Sequence, residues 1–311
     1  EMRIISRAPT RIGLMGGGSD ISPFSKLYGG QVLNIAVGIR HTCELIPRND
    51  DWIWIEALGE SRIHKYNDLP KSGVDSKFDL IYQTIRSYVL PSGFQLIDSF
   101  DGIQGSGIGS SASAAVSMIG AFNRWLDIKQ TKLEIAKKAQ DIEVSLGWIS
   151  GFQDQIASVY GGINNFEFKG FPQFIAHSKE LPEIWNEAFI LFFTGKTRNS
   201  SVIQEQLVKR MNDDATVDAL YKSTLLVDRG YDFLWQGKVE LFADVFNKSW
   251  KLKKKTNPLV TNKKINKIER IVKECKGYGI KGMGAGGEGH ILVVTEPRYK
   301  KIIIRNLEEF G

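Results

Sequence analysis

The stretch GSGIGSSASAAVS, which runs from Gly105 to Ser117, alternates three glycines with other residues and then becomes small and mostly apolar. Glycine allows backbone conformations and close approaches that a Cβ atom would block. The small residues predict a helix that begins directly after the glycines, with a partial positive charge at its first turn. The stretch therefore predicts a loop that closely approaches a dinucleotide, a nucleoside triphosphate or only neighbouring backbone.

Two common nucleotide-binding patterns fit this chain poorly. Ser110 stands where the dinucleotide fingerprint has glycine or alanine, and the preceding LIDSFDGIQ is too polar for a buried parallel strand. The segment LFFTGKT ends like a P-loop, but Ile190 occupies the place of its first glycine. Two interpretations remain. One is a helix start that binds phosphate with hydroxyls from Ser110 and Ser111, and the other is a tight strand-to-helix turn.

The overall composition is that of an ordinary globular protein. The chain has 311 residues, 42% of them hydrophobic and 24% charged, so two domains or one large domain are expected. Two cysteines, Cys43 and Cys275, and four scattered histidines exclude a disulfide framework and give no metal-ligand spacing. The net charge of +6, much of it in residues 251–264, suits anionic small substrates as well as nucleic acid. No secretion signal or membrane span is predicted, and we expect a cytoplasmic protein.

The hydrophobic pattern predicts an α+β chain, with strands dominating early and helices later. The first strand is expected to end at Pro9, and Thr131 with Glu134 predicts a capping box at the start of a helix. The segment AFILFFTG predicts a buried strand, and residues 201–253 predict long amphipathic helix. A domain boundary is expected near residue 180, within HSKELPEIW.

Two further glycine-rich loops are far away in sequence. In GLMGGGSD, residues 13–20, the glycines lie between Arg11 and Asp20. This arrangement suits a hydroxylated ligand held against backbone, although a hairpin or wide turn is also compatible. GMGAGGEG, residues 282–289, leads into a strand. Three such loops are more than turns alone require.

Two carboxylates stand in unusual positions. Glu143 lies on the apolar stripe of its helix, where a charge is costly unless it is paired or binds a cation. The alternative is a glutamate that reaches solvent past the edge of the stripe. Asp154 lies near a helix start, where the dipole stabilises an acid by roughly 0.3–1 kcal/mol. It is therefore either a helix-start acid or a carboxylate kept ionised as a general base.

Together these segments resemble one family, the GHMP small-molecule kinases. GSGIGSSASA is similar to its phosphate loop, RAPTRIGLMGGGSD to its first motif, and GMGAGGEGH to its third. EVSLGWISGFQDQ resembles the segment that carries its metal-binding Glu and catalytic Asp. The resemblance implies a two-domain α+β GHMP kinase fold. Residues 1–180 would form a ribosomal-protein-S5-like N-terminal domain, and residues 181–311 a ferredoxin-like α+β C-terminal domain.

The resemblance also implies a role for each site residue. The ATP phosphates would be bound by Gly105, Ser106, Gly107, Ile108, Gly109, Ser110 and Ser111. Ser111 and Glu143 would hold Mg²⁺, Asp154 would take or orient the proton of the sugar hydroxyl, and Arg11 would position that hydroxyl or the aspartate. Substrate would contact Gly17, Gly18, Ser19, Asp20, Gly286 and Gly287. Met283 and Glu288 depart from the third motif, where a small residue and a glycine are usual.

Within the family, further segments resemble the branch that phosphorylates D-glycero-D-manno-heptose 7-phosphate at O1, on the route to nucleotide-activated heptose. A phosphosugar needs a second anion site, for which Arg198 in GKTRNSS is a candidate, although this segment also suits a solvated loop. Fucokinases share much of the pattern, and a non-catalytic sugar-responsive protein is a further alternative. A nucleic-acid protein lacks support because basic and aromatic residues do not interleave. We expect no membrane partner and a monomer or homodimer.

Overall fold

The structure is a computed structural model that describes residues 2–169, 171–197 and 200–311. Its strands are β1 (Ile4–Met15), β2 (Gly30–Pro47), β3 (Trp52–Ala57), β4 (Glu60–Lys65), β5 (Phe94–Phe100), β6 (Ile163–Lys169), β7 (Phe171–Ser178), β8 (Phe189–Phe193), β9 (Gly279–Gly282) and β10 (His290–Val294). Its helices are α1 (Phe24–Tyr28), α2 (Asp79–Arg86), α3 (Ser110–Trp125), α4 (Lys132–Ser145), α5 (Gln153–Tyr160), α6 (Ile184–Ala188), α7 (Ser200–Arg210), α8 (Asp214–Thr224), α9 (Val227–Trp235), α10 (Val239–Thr256), α11 (Lys263–Glu274) and α12 (Lys300–Leu307). Within the described ranges, no helix combines the length and apolarity needed to cross a bilayer.

The residues pack into two compact units that interleave along the sequence. The first unit contains Glu1–Thr10, Val37–Ile103 and Ser110–Tyr160. The second contains Arg11–Ala36, Gln104–Gly109 and Gly161–Gly311. The boundary expected near residue 180 separates the two domains that the family resemblance implies. These domains do not coincide with the two compact units, and the boundary stays a prediction.

In the first unit, a sheet supports α2 and α3. β3 pairs antiparallel with β4 and parallel with β5, and β5 pairs antiparallel with residues 41–47 of β2. The core between sheet and helices contains Phe122 of α3, whose ring lies 4.9 Å from Tyr88 and 5.3 Å from Phe94. Burying a side chain of this size contributes about 1.5–3 kcal/mol, so this core holds α3 firmly against the sheet.

The first unit also contains α4, whose start is the predicted capping box. The Glu134 backbone N–H donates to Thr131 Oγ1 at 3.2 Å, and the Thr131 N–H donates to the Glu134 carboxylate at 2.6 Å. Small residues such as Ala115 and Ala139 pack together with Ile142 in a separate apolar cluster. The prediction of a capped helix that begins after Thr131 is confirmed.

In the second unit, β10 is the central strand of the antiparallel sheet β8-β10-β9. All five residues of β10 are buried, and α11 covers the sheet with Ile268 and Val272. Asn262 caps α11 by accepting a hydrogen bond from the Ile265 N–H at 2.9 Å. Elsewhere in this unit, β6 pairs with residues 30–35 of β2 and with β7.

Three expectations about elements were wrong. The chain from residue 201 to 253 forms α7, α8, α9 and most of α10 rather than one long helix, because capping residues such as Asp213 begin new helices. β1 continues through Pro9 to Met15. Among the described strands it pairs only with β2, so the missing N–H of the proline is tolerated. In β8 only Ile190 is buried, because β8 is an edge strand of its sheet.

Candidate active site

The glycine-rich loop at residues 104–109 belongs to the second unit and leads directly into α3. Gly105, Gly107 and Gly109 have φ angles of 70°, 87° and 77°, which residues with a Cβ rarely adopt. The helix begins at Ser110, as predicted. The first turn of a helix carries N–H groups without intrahelical partners and a partial positive charge, so it attracts anions.

Three consecutive carbonyl groups of this loop are held by other segments of the second unit. Ser106 O accepts from the His290 N–H at 2.7 Å. Gly107 O accepts from the guanidinium of Arg11 at 2.7 Å, and Ile108 O accepts from the Arg11 backbone N–H at 2.9 Å. A trans peptide directs its C=O and the following N–H to opposite sides. The next N–H after each of these carbonyls is therefore directed away from Arg11 and His290, as in loops that bind phosphate.

The third glycine-rich loop, residues 282–289, lies directly against the phosphate loop within the second unit. A Cβ added at Gly284 would lie 2.7 Å from Gly107 O, and one added at Gly289 would lie 2.4 Å from Ser106 O. These two glycines have φ angles of 56° and 90°. The third motif therefore needs glycine both for its own backbone and for the close approach of the phosphate loop.

The two residues that depart from the third motif have different environments. Met283 is fully buried. Glu288 is half-buried, and its carboxylate lies 3.5 Å from the side-chain amide nitrogen of Asn262, which also donates to Gly287 O at 2.6 Å. The Asn262 amide thus gives the Glu288 carboxylate a neutral donor.

Two lysines in the second unit donate hydrogen bonds to backbone carbonyls. Lys253, from the basic run at 251–255, donates to Gly282 O at 2.9 Å and Gly284 O at 2.6 Å. Lys281 is buried and donates to Leu14 O and to Ser249 Oγ. Burial lowers the pKa of Lys281 to about 7, and the positive charge of Arg11 adds to this effect. Nothing in the sequence around Lys281 indicates these contacts.

The first glycine-rich loop, residues 13–20, is also packed within the second unit. A Cβ at Gly16 would lie 1.9 Å from Gln31 O. Ser19 is buried, and its hydroxyl lies 3.2 Å from the backbone nitrogen and oxygen of Gln31. The carboxylate of Asp20, which is 2% exposed, accepts from the Gly18 N–H at 3.2 Å. The loop is therefore rigidly held, and contacts of Gly17, Gly18, Ser19 and Asp20 with substrate stay a prediction.

In the first unit, the Glu143 carboxylate is buried among neutral donors. Ser111 Oγ donates to its Oε1 at 2.6 Å, while Ser150 Oγ and Gln155 Nε2 donate to its Oε2 at 2.5 Å and 2.7 Å. Glu143 is 5% exposed, so the alternative of a glutamate that reaches solvent past the edge of the stripe was wrong. The structure places Ser111 and Glu143 in direct contact. Ser150, in the turn before α5, and Gln155, within α5, were missed because nothing in the sequence indicates that they contact Glu143.

The environment of Glu143 disfavours its charged form. Burial raises the pKa of its carboxyl above the usual range, and the negative charge of Asp154 adds to the rise. The hydrogen bonds from Ser111, Ser150 and Gln155 act in the opposite direction. No cation of the described residues pairs with it, so a bound metal ion would supply the missing positive charge.

These residues fit Mg²⁺. No cluster of three or more His, Cys, Asp or Glu in the described ranges could hold a metal ion. Mg²⁺ does not require such a cluster, because it is usually bound through one or two carboxylates, several waters and substrate phosphates. The Glu143 carboxylate and the Ser111 hydroxyl lie 2.6 Å apart. The buried amide oxygen of Gln155 has no hydrogen-bond partner among the described residues. These three groups form a suitable set of oxygens for Mg²⁺.

Asp154 is the second residue of α5, close enough to Glu143 for their charges to interact. Of the predicted second anion site, Arg198 lies outside the described residues, and Lys196 and Thr197 are exposed.

Comparison with known proteins shows which kinases this chain resembles. Residues 79–162 match the GHMP kinases N terminal domain. The chain is 29% identical to a D-glycero-alpha-D-manno-heptose 7-phosphate kinase from Campylobacter jejuni, over 98% of this chain and 93% of that protein. It is 24% identical to a bifunctional fucokinase/GDP-fucose pyrophosphorylase from Arabidopsis thaliana, over 97% of this chain and 31% of that protein.

Among solved structures, a D-glycero-D-manno-heptose 1-phosphate kinase from Bacteroides thetaiotaomicron superposes with a TM-score of 0.78 at 25% identity, over 99% of this chain and 93% of that chain. Residues 79–162 match the N-terminal domain of GHMP kinases, the chain resembles such kinases over nearly its whole length, and the predicted α+β fold is confirmed. The protein is an ATP-dependent phosphotransferase. It resembles the D-glycero-D-manno-heptose 7-phosphate kinases.

Proposed function

We propose that this kinase phosphorylates D-glycero-D-manno-heptose 7-phosphate at O1, with ATP as donor and Mg²⁺ as the metal ion. The observation that carries the phosphate-binding part is the loop at 106–108, whose three carbonyls are held by Arg11 and His290. The sugar specificity is supported by the similarity over nearly the whole chain to a kinase named for this substrate.

The proposed roles follow from the chemistry of each group. The N–H groups of the phosphate loop and of the first turn of α3 bind the ATP phosphates. Ser111 and Glu143 hold Mg²⁺, which neutralises negative charge on the phosphates. Asp154 accepts the proton of O1 as a bond forms between O1 and the γ-phosphorus and the bond from that phosphorus to ADP breaks.

The remaining assignments concern the substrate. The backbone of Gly17 and Gly18 with the carboxylate of Asp20 contacts the sugar hydroxyls, and Gly286 and Gly287 line the substrate and phosphate positions. Arg198 binds the 7-phosphate, because its planar guanidinium can make two parallel hydrogen bonds with a phosphate. The contact between Arg11 and Gly107 O supports a positioning role for Arg11 through the phosphate loop.

A coupled assay of ADP release tests this function. We expect turnover with heptose 7-phosphate, and little with mannose 6-phosphate, sedoheptulose 7-phosphate, L-fucose or galactose. Phosphorus NMR of the product should show a new anomeric phosphate beside the retained 7-phosphate. Asp154→Asn should remove turnover, and unchanged turnover in this variant would contradict its role as base.

Fucokinase activity is the second candidate, because the Arabidopsis relative with that name aligns with almost the whole chain. A clear preference for L-fucose over the phosphosugar in the same assay would support it. Turnover of none of these sugars, with ATP binding intact, would favour the non-catalytic alternative.

A further inference from the structure

Gln155 is a buried amide to which the mechanism above gives no role. It is 1% exposed and is the third residue of α5. Its Nε2 donates to Glu143 Oε2 at 2.7 Å and lies 3.2 Å from Ser150 Oγ. The amide nitrogen faces the Glu143 carboxyl group, so the amide oxygen faces elsewhere.

That amide oxygen is the unusual part of the residue. Gln155 Oε1 is buried and has no hydrogen-bond partner among the described residues. Leaving such an acceptor unsatisfied costs about 1–3 kcal/mol, and buried polar groups are otherwise almost always paired. The donor end of the amide is used by Glu143, whereas no described residue uses its acceptor end.

A hydrated metal ion would satisfy both ends of the amide. Mg²⁺ gives up its waters reluctantly and keeps several of them in protein sites. Waters bound to a cation are strong hydrogen-bond donors, and they need acceptors such as an amide oxygen. The Nε2 end meanwhile holds the carboxylate that would bind the ion.

We propose that Gln155 is a positioning residue of the metal site. Its Nε2 fixes the orientation of Glu143, and its Oε1 accepts a hydrogen bond from a water of the hydration shell of the ion. The inference rests on the proposed function, since it requires that Ser111 and Glu143 hold Mg²⁺.

Metal binding can be measured apart from turnover. Mn²⁺, used as a paramagnetic substitute for Mg²⁺, is titrated into the enzyme with a non-hydrolysable ATP analogue, and the unbound ion is measured by electron paramagnetic resonance. Gln155→Met keeps the length of the side chain and removes both hydrogen-bonding ends. Loss of a partner that orients a metal ligand typically weakens metal affinity by about 10–100-fold, and we expect a Kd for Mn²⁺ raised within that range.

The matched control is Gln95→Met in β5. Gln95 Nε2 also donates to a glutamate, Glu56, at 2.8 Å, but this pair is exposed and belongs to no part of the proposed site. Its Kd for Mn²⁺ should equal that of the unaltered enzyme. In steady-state assays, Gln155→Met should raise the Mg²⁺ concentration needed for half-maximal rate and leave the KM for the sugar unchanged, which a general loss of packing would not do.

Glu143→Gln distinguishes a failure of the proposed metal site from a failure of the inference about Gln155. If the unaltered enzyme and Glu143→Gln bind Mn²⁺ equally, the proposed metal site itself is wrong. If Glu143→Gln loses the ion while a folded Gln155→Met binds it within twofold of the unaltered enzyme, only the inference about Gln155 is overturned. Should Gln155→Met fail to fold, Gln155→Asn keeps the polarity but is one methylene too short to reach Glu143. It should also raise the Kd, and an unchanged Kd would overturn the inference.

Discussion

Substitution of Gly289 by alanine is expected to damage ATP use without touching any group that binds ATP. The new Cβ would lie 2.4 Å from Ser106 O, whereas ordinary contacts begin near 3.4 Å. The carbonyl of the phosphate loop must therefore move by about 1 Å, and a misplacement of this size can cost about 100-fold in rate. The φ of +90° adds about 1–3 kcal/mol of backbone strain.

Gly73→Ala is a matched control for this prediction. Gly73 has a φ of +87° and nothing within 4 Å of the added Cβ, so it carries the same strain without the overlap. Both variants should lose thermal stability, but only Gly289→Ala should lose kcat/KM for ATP, by about 100-fold. The assay is steady-state ADP release with ATP as the varied substrate. A folded Gly289→Ala enzyme within threefold of the unaltered kcat/KM would refute the steric argument.

Three other substitutions test the energetics. Burial raises the folded-state pKa of Glu143, so its ionisation opposes folding as pH rises through that pKa. Glu143→Gln should therefore raise the melting temperature of the metal-free protein at pH 7 while abolishing turnover. A lower melting temperature would contradict this. The pKa of Lys281 falls from 10.5 when unfolded to about 7, so it makes stability rise with pH between these values by up to about 1.4 kcal/mol per unit. Urea unfolding of Lys281→Met between pH 7 and 10 should lack this rise, and an unchanged slope would exclude it. Thr131→Ala should cost about 1 kcal/mol in the same measurement through loss of the capping box, whereas a change below about 0.3 kcal/mol would argue against it.

Much of the helical framework around the candidate site could be predicted from sequence because its signals are local. Thr131 and Glu134 mark a helix start by direct hydrogen bonding, and the small residues after Gly109 mark another. The place of Glu143 on the apolar stripe of α4 was compatible with a buried carboxylate and with one that reaches solvent, and only the structure shows that it is buried. Periodicity alone missed the break before α8, although Asp213 was available as a capping signal.

The partners of the site residues could not be predicted, because they depend on tertiary contacts. Arg11 donates to a carbonyl of a loop nearly a hundred residues away in sequence, and the lysine of β9 reaches the end of β1. Ser150 precedes a short helix and gives no pattern of its own. Hydroxyl and amide groups that orient a carboxylate have no fixed spacing from it, so only the folded chain identifies them.

The buried amino group of Lys281 can also report local opening of the protein. Acylating reagents modify amines only where the reagent can reach them. Because the side chain is 3% exposed, reagent can reach it only when β9 separates from its neighbours. The rate of acylation of Lys281, measured by mass spectrometry, would therefore report how often β9, which leads into the third glycine-rich loop, separates from its neighbours.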